Sequence, residues 1–252
     1  MIDILESQLT EWLSPILWPF FRFLAVFTVA PIFSSRAFPV RARIALAFFI
    51  SLAAQASLNS QPVININSPG AWGAVVQQVG VGLAIGFAVR LVFSVFELTG
   101  QVIGFQMGLG FAAFFDPSTS AQSSAMGRFY ANMAALLFLA VNAHIVILMA
   151  AIRSFEAFPV DQNFLLALEK MKLFTLGSEL FASALWIALP VIGMLMFANL
   201  ALGIVSRIAP QMNIYSVGFP VTLAVGLVGV TVTLPMLDQP FINLMERVLE
   251  IF

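Results

Sequence analysis

The stretch Gln101–Phe129 reads QVIGFQMGLGFAAFFDPSTSAQSSAMGRF, and its parts demand different surroundings. A glycine ladder, Gly100, Gly104 and Gly108, leads into a run of phenylalanines, Phe111, Phe114 and Phe115, which stops at Asp116-Pro117. A polar stretch, Ser118 to Ser124, comes next, and apolar runs lie on both sides. Lipid cannot satisfy the backbone of a loop, so a polar loop in an apolar chain must be buried in protein or line a water-filled path. The stretch points to a pore or gate.

The whole chain suits that setting. Its 252 residues are 61% hydrophobic and only 9% charged, with a mean hydropathy of +1.00. Soluble domains carry about 25% charged residues. This is a membrane protein, or one that buries itself in a hydrophobic assembly. A net charge of -1 provides no basic field for nucleic acid. The absence of cysteine excludes disulfides and thiolate chemistry, and one histidine, His144, rules out a histidine-rich metal site. The acidic start (Asp3, Glu6, Glu11) argues against a cleavable signal peptide, which wants a basic one.

Seven apolar runs succeed one another. They cover 12–33 (interrupted by Arg22, with Pro15 and Pro19 near its start), 44–58, 71–96 (with Arg90), 98–115, 129–152, 180–206 (with Pro190) and 214–237. Most exceed strand length and none alternates with period two, so the expected fold is all-α: a multi-helix membrane-type protein with kinked and broken helices. The second run would reach about 22 Å as a helix, short of the roughly 30 Å hydrocarbon core. We expect one domain over 1–252, with approximate halves 1–152 and 180–252 joined by the mixed-charge linker 153–179. Arg36, Arg41 and Arg43 form the densest basic cluster beside a span, which places that turn in the cytoplasm and the N-terminus outside. Pro210 restricts Ala209 away from helical geometry and predicts a turn between the last two runs.

Glycines four residues apart lie on one helix face and let backbones approach closely. Gly82 with Gly86, and Gly100 with Gly104, are therefore read as helix-packing positions, a hinge being the alternative. Arg90 and Glu97, seven apart, share a helix face but cannot pair directly within one helix. Charges at membrane depth usually find partners on another helix or subunit; the competing reading has them snorkelling near a membrane edge. His144 reads as a helix–helix hydrogen-bonding residue rather than a proton relay. No catalytic residue, cofactor site or metal site emerges: there is no paired-aspartate motif, nucleophile elbow or phosphate-binding Gly-Lys motif. The polar loop itself admits two readings, an ordinary turn opened by Asp-Pro or a gate whose Phe and Met side chains fill a changeable opening.

Three blocks add a resemblance. PVRARIALAF (39–48), GFQMGLGFA (104–112) continuing to Asp116-Pro117, and APQMNIYSVGFP (209–220) with Gly226-Leu227 after it together resemble the type III secretion export-gate family FliR/SctT, most of all its flagellar branch. The resemblance covers essentially the whole chain. It implies a non-enzymatic subunit of the flagellar protein export gate in the bacterial inner membrane, at the flagellar basal body. It further implies a hetero-oligomer with FliP and FliQ homologues, association of an FlhB homologue, and exported flagellar proteins as transient substrates. The implied fold joins a FliP-like half to a FliQ-like half within a helical complex. The implied plug falls on Gly108 to Gln122 and includes Gly110, Phe111, Phe114, Phe115, Asp116 and Pro117. The alternative is a small polytopic transporter with a midplane site at the broken Gly108–Pro117 segment.

So much apolar surface, and charges without obvious partners nearby in the sequence, predict dependence on other chains. Extracted alone in detergent, the protein is expected to aggregate. With its partners it should be monodisperse by size exclusion with mass detection. Recovery of a folded, monodisperse monomer would contradict this.

Overall fold

The computed structural model describes residues 2–58, 69–111, 124–161, 167, 169, 171, 174–209 and 214–252, and among the described residues there is no strand. The helices are α1 (Ile2–Val29), α2 (Val40–Ala54), α3 (Pro69–Gln106), α4 (Ala125–Ala140), α5 (Ala143–Ala157), α6 (Phe174–Ile208), α7 (Ile214–Thr233) and α8 (Asp238–Leu249), with 3-10 turns at Leu109–Phe111 and Leu234–Met236. Among the described residues, Gly70–Gln106, Thr175–Ile208 and Val217–Met236 are long and apolar enough to cross a membrane. Helices α4 and α5 add a fourth if that bent pair forms one span. The expected all-helical, membrane-type fold is what the chain adopts.

Several boundaries differ from the sequence expectation, each for a local reason. The runs 71–96 and 98–115, distinct in hydropathy because of Glu97, form one 38-residue helix as far as Gln106. Nothing between Phe96 and Leu98 supplies turn chemistry, and Glu is a good helix former. Conversely, 129–152 is not one helix: α4 and α5 meet at 72°. The break is Asn142, whose φ of 54° and ψ of 34° are left-handed, a conformation that asparagine adopts more readily than most residues. Pro15 and Pro19 lie inside α1 rather than near a helix start. Between α6 and α7 the helix does stop: α6 ends at Ile208 and Ala209 is non-helical, in agreement with the restriction that Pro210 imposes. Residues 210–213 lie outside the described residues.

Contacts divide the chain into two units, each discontinuous in sequence. The first holds Met1–Leu91, Asn142–Gly177 and Met245–Phe252; the second holds Val92–Val141 and Ser178–Leu244.

In the first unit, α1 packs on the N-terminal part of α3 through glycines. A Cβ at Gly82 would strike the Arg22 carbonyl and stand 2.7 Å from Ala25 Cβ. One at Gly86 would stand 2.9 Å from the Val26 carbonyl oxygen. Around this seam, Trp18, Ala71, Ala74, Phe155 and Val160 form an apolar cluster. The turn between α1 and α2 puts Ile32 at a φ of 72°, strained for a β-branched residue. Arg43 braces that turn, donating from Nε (3.1 Å) and Nη2 (2.7 Å) to the Phe33 carbonyl.

Within the same unit Arg22 is wholly buried. Its Nε donates to Gln78 Oε1 (2.8 Å), Nη1 to Ser154 Oγ (2.9 Å) and Nη2 to the Phe158 carbonyl (2.7 Å), while its Cζ lies 3.6 Å from the Phe155 ring centroid. The network extends beyond it. Gln78 Nε2 donates to Gln77 Oε1 (2.9 Å), which also accepts from the Asp161 amide (2.8 Å). Gln77 Nε2 donates to the Pro159 carbonyl (3.0 Å). Arg22 thus ties together α1, α3, α5 and the chain leaving α5.

Replacing Arg22 with leucine strands three acceptors, and the expected loss is about 2–5 kcal/mol. Arg22→Lys should recover only part of it, because one ammonium cannot reproduce the planar fork. Thermal unfolding of the detergent-extracted complex checks this. An Arg22→Leu complex as stable as the parent would remove the network from its structural role.

Candidate functional site

The second unit contains the stem of the loop singled out by the sequence. The last α3 turn closes with the amide of Met107 donating to the Ile103 carbonyl (3.0 Å) and that of Gly108 to the Phe105 carbonyl (3.0 Å). Gly108 has a φ of +83°, open to glycine at no steric cost, so the helix ends and the chain turns. The 3-10 turn Leu109–Phe111 comes next. The chain returns at Ser124, whose Oγ accepts from the Gly127 amide (3.0 Å) and caps α4.

The two sides of the stem meet backbone to backbone. A Cβ at Gly100 would strike the Met126 carbonyl and stand 2.9 Å from Gly127 Cα. One at Gly104 would lie 3.3 Å from Met126 Cβ, and one at Gly127 3.0 Å from Gln101 Cγ. Thr99 adds a bond from α3 to α6, its hydroxyl lying 3.1 Å from the Ala184 carbonyl and 2.9 Å from that of Val95. Below the glycine seam the rings of Phe93, Phe96, Phe138 and Phe241 stack in tilted and edge-on contacts 5.5–6.2 Å apart.

Helix α7 closes on the stem from another side. Phe219 lies over Gly108, its Cδ2 3.2 Å from where a Cβ would stand. The Thr222 hydroxyl lies 3.3 Å from the Met107 carbonyl. Gly226 receives the Met107 side chain, which is fully buried.

The structure gives the predicted site residues different places. Gly82 and Gly86 serve the α1 seam, Gly100 and Gly104 the stem, and Gly108 the turn. Gly110 faces Phe105, whose Cδ1 is 2.7 Å from its Cβ position. The backbone of Phe111 belongs to the 3-10 turn. Phe114, Phe115, Asp116 and Pro117 lie outside the described residues. Arg90 is exposed on α3 and Glu97 is half-buried, in different units. Sequence reasoning leaves Arg22 undecided and passes over the Gln77-Gln78 pair, although Trp12 to Phe96 contains no carboxylate to partner an arginine. It also gives no sign that Phe219 and Gly226 contact the stem. Among the described residues no three His, Cys, Asp or Glu side chains gather as metal ligands.

Comparison with known proteins gives a consistent result. Residues 13–248 match the family described as bacterial export proteins, family 1. The flagellar biosynthetic protein FliR of Pectobacterium carotovorum subsp. carotovorum is 36% identical over 243 residues, covering 96% of this chain and 92% of that protein. FliR of Escherichia coli K12 is 36% identical over 246 residues, with the same coverage of each. FliR of Bacillus subtilis 168 is 33% identical over 234 residues, covering 92% and 90%.

The stem geometry predicts a steep response to side-chain size at Gly100. Gly100→Val forces α3 and α4 apart and is expected to cost about 1–3 kcal/mol or more, while Gly104→Ala, where the nearest atom is a side-chain carbon, should cost less. The yield and melting temperature of the assembled complex measure both. Equal tolerance at the two positions would refute the ranking.

Proposed function

Because the chain belongs to family 1 of the bacterial export proteins, we propose that it is a non-enzymatic subunit of the flagellar protein export gate, forming part of the conduit and supplying its plug. The observation that carries the reading is the stem: the chain turns out of α3 at the left-handed Gly108 and re-enters helix at Ser124, at the start of α4, which is packed on the same stretch of α3. A loop anchored at both ends on a stiff helix can change its own conformation while its supports stay in place.

The mechanism is passive. Gly108 and Gly110 give the loop backbone freedom. Phe111, Phe114 and Phe115 form the dry part of the seal. Asp116, Pro117 and the serines after them tolerate water once it opens. Unfolded substrate pushed from the cytoplasm displaces the loop, with energy supplied elsewhere in the apparatus. The setting is the inner membrane at the flagellar basal body. FliP, FliQ and FlhB homologues are the partners and exported flagellar proteins the transient cargo. Arg90, exposed on α3, and Glu97, half-buried on the same helix, are assigned to contacts with other helices or subunits.

Deleting Ser118–Ser123 separates this reading from its rivals. A plug deletion leaves an assembled complex that conducts small ions across the membrane. A plain surface loop gives assembly without conductance, and a scaffold element gives no assembly. Either of the last two outcomes, recorded on membranes holding the intact and deleted complexes, would end the proposal.

A further inference from the structure

We infer that α7 governs the turn that ends α3: Phe219, Thr222 and Gly226 are positioning residues that hold the Met107–Gly108 hinge, so that displacing α7 frees the turn at Leu109–Phe111. The functional outcome rests on the plug reading; the geometry does not.

The three residues recur at i, i+3 and i+7, on one face of the helix. Each meets the hinge differently. The Phe219 ring covers Gly108, the residue whose positive φ makes the turn. Gly226 allows the closest approach: a Cβ there would stand 2.8 Å from Met107 Sδ and 2.9 Å from Cε. Because Met107 is fully buried, its side chain has little room to retreat. Thr222 is the discrete element. Its hydroxyl lies 3.3 Å from the Met107 carbonyl, and 3.1 Å from both the Gly218 and the Phe219 carbonyls of its own helix. One hydroxyl proton serves one strong bond at a time. Thr222 therefore bonds either across to the hinge or back to α7, and a small shift of α7 selects between the two.

Of the two elements that meet here, α7 is the less buried within this chain: 28% of the residues in an 18-residue window of Val217–Met236 are buried, against 56% in the corresponding window of α3. Pro220 has no amide hydrogen to give the Ser216 carbonyl one turn earlier, and such a gap in the ladder is a common cause of helix bending. α3 is pinned against α4 at Gly100 and Gly104. Motion of α7 thus acts on the hinge and leaves the stem intact. Gly108 can adapt, because glycine alone has the alternative backbone conformations that a released hinge needs.

The test uses the complex assembled with its partner chains. The chain has no cysteine, so Leu109→Cys gives it a single thiol beside the hinge, read by the rate of maleimide labelling. Gly226→Val is expected to raise that rate about tenfold and to raise ion conductance with it. Adding Met107→Ala, which removes the side chain that the valine would strike, should bring both back toward the parent. Thr222→Val keeps the volume and loses the hydroxyl; it should raise labelling by about two- to threefold, and it decides the matter if Gly226→Val does not assemble. Labelling at the parent rate in assembled Gly226→Val, or in Thr222→Val when that variant alone assembles, overturns the inference. Raised labelling, reversed by Met107→Ala but with parental conductance throughout, sinks the plug reading and leaves the role of α7 standing.

Discussion

Much of the structure depends on how one guanidinium is satisfied. A buried arginine must spend its donors on acceptors held in the right plane, since leaving them unmade in an apolar interior costs far more than each bond returns. Arg22 finds an amide oxygen on α3, a hydroxyl on α5 and a carbonyl beyond it, with a phenylalanine ring alongside. These acceptors fix which face of each helix turns inward. Dispersion among interchangeable leucines and valines does not impose such a choice, because lipid is as apolar as they are. The Gly82–Gly86 seam works with the arginine, bringing the α1 backbone close enough for the fork to reach.

The second unit solves a related problem without a charge. Its α3–α4 contact is built from missing side chains at Gly100, Gly104 and Gly127, so close packing itself holds the stem. Two backbones in direct contact leave little slack. The stem is therefore stiff on both of its sides, and among the described residues Gly108 is the glycine that takes the left-handed conformation. Stiff supports and a pliable link are the combination that a reversible closure requires.

How much of this was legible in the sequence depended on whether the cause was local. Composition and run length were enough for an all-helical membrane-type protein. Pro210 marked the end of α6, and the four-residue glycine spacing marked both seams. Non-local causes were hidden. Nothing near Arg22 announces acceptors 56, 132 and 136 residues away. Hydropathy misled at Glu97, where a charge looked like a boundary although a helix needs turn chemistry to stop. The opposite error arose at Asn142, a small polar residue inside an uncharged run that takes the left-handed conformation and bends the pair. Within the site, the glycine at which α3 turns was readable, whereas the α7 contacts were not, since they join positions 107 and 108 to 219, 222 and 226.

The length of α3 has a consequence for the life of the chain before it finds its surroundings. At 38 residues the helix is about 57 Å long, and even at the steepest tilt usual for membrane helices it rises about 44 Å along the bilayer normal. A hydrocarbon layer of roughly 30 Å cannot wet all of it. Trp72 and Phe105, near opposite ends, are both exposed, and so are the charge of Arg90 between them and the amide of Gln106 at the C-terminal end, so the helix carries apolar and polar surface along its length. Lipid alone cannot suit all of it: a bilayer that covers both apolar ends takes in the Arg90 charge, and one that leaves Arg90 in water leaves apolar surface uncovered, with a strain of fractions of a kcal/mol per Å of mismatch. Protein packed along the surplus length relieves that strain. Orphaned copies are thereby marked as misfits in the bilayer, and burial against other protein becomes the state toward which the membrane itself drives them.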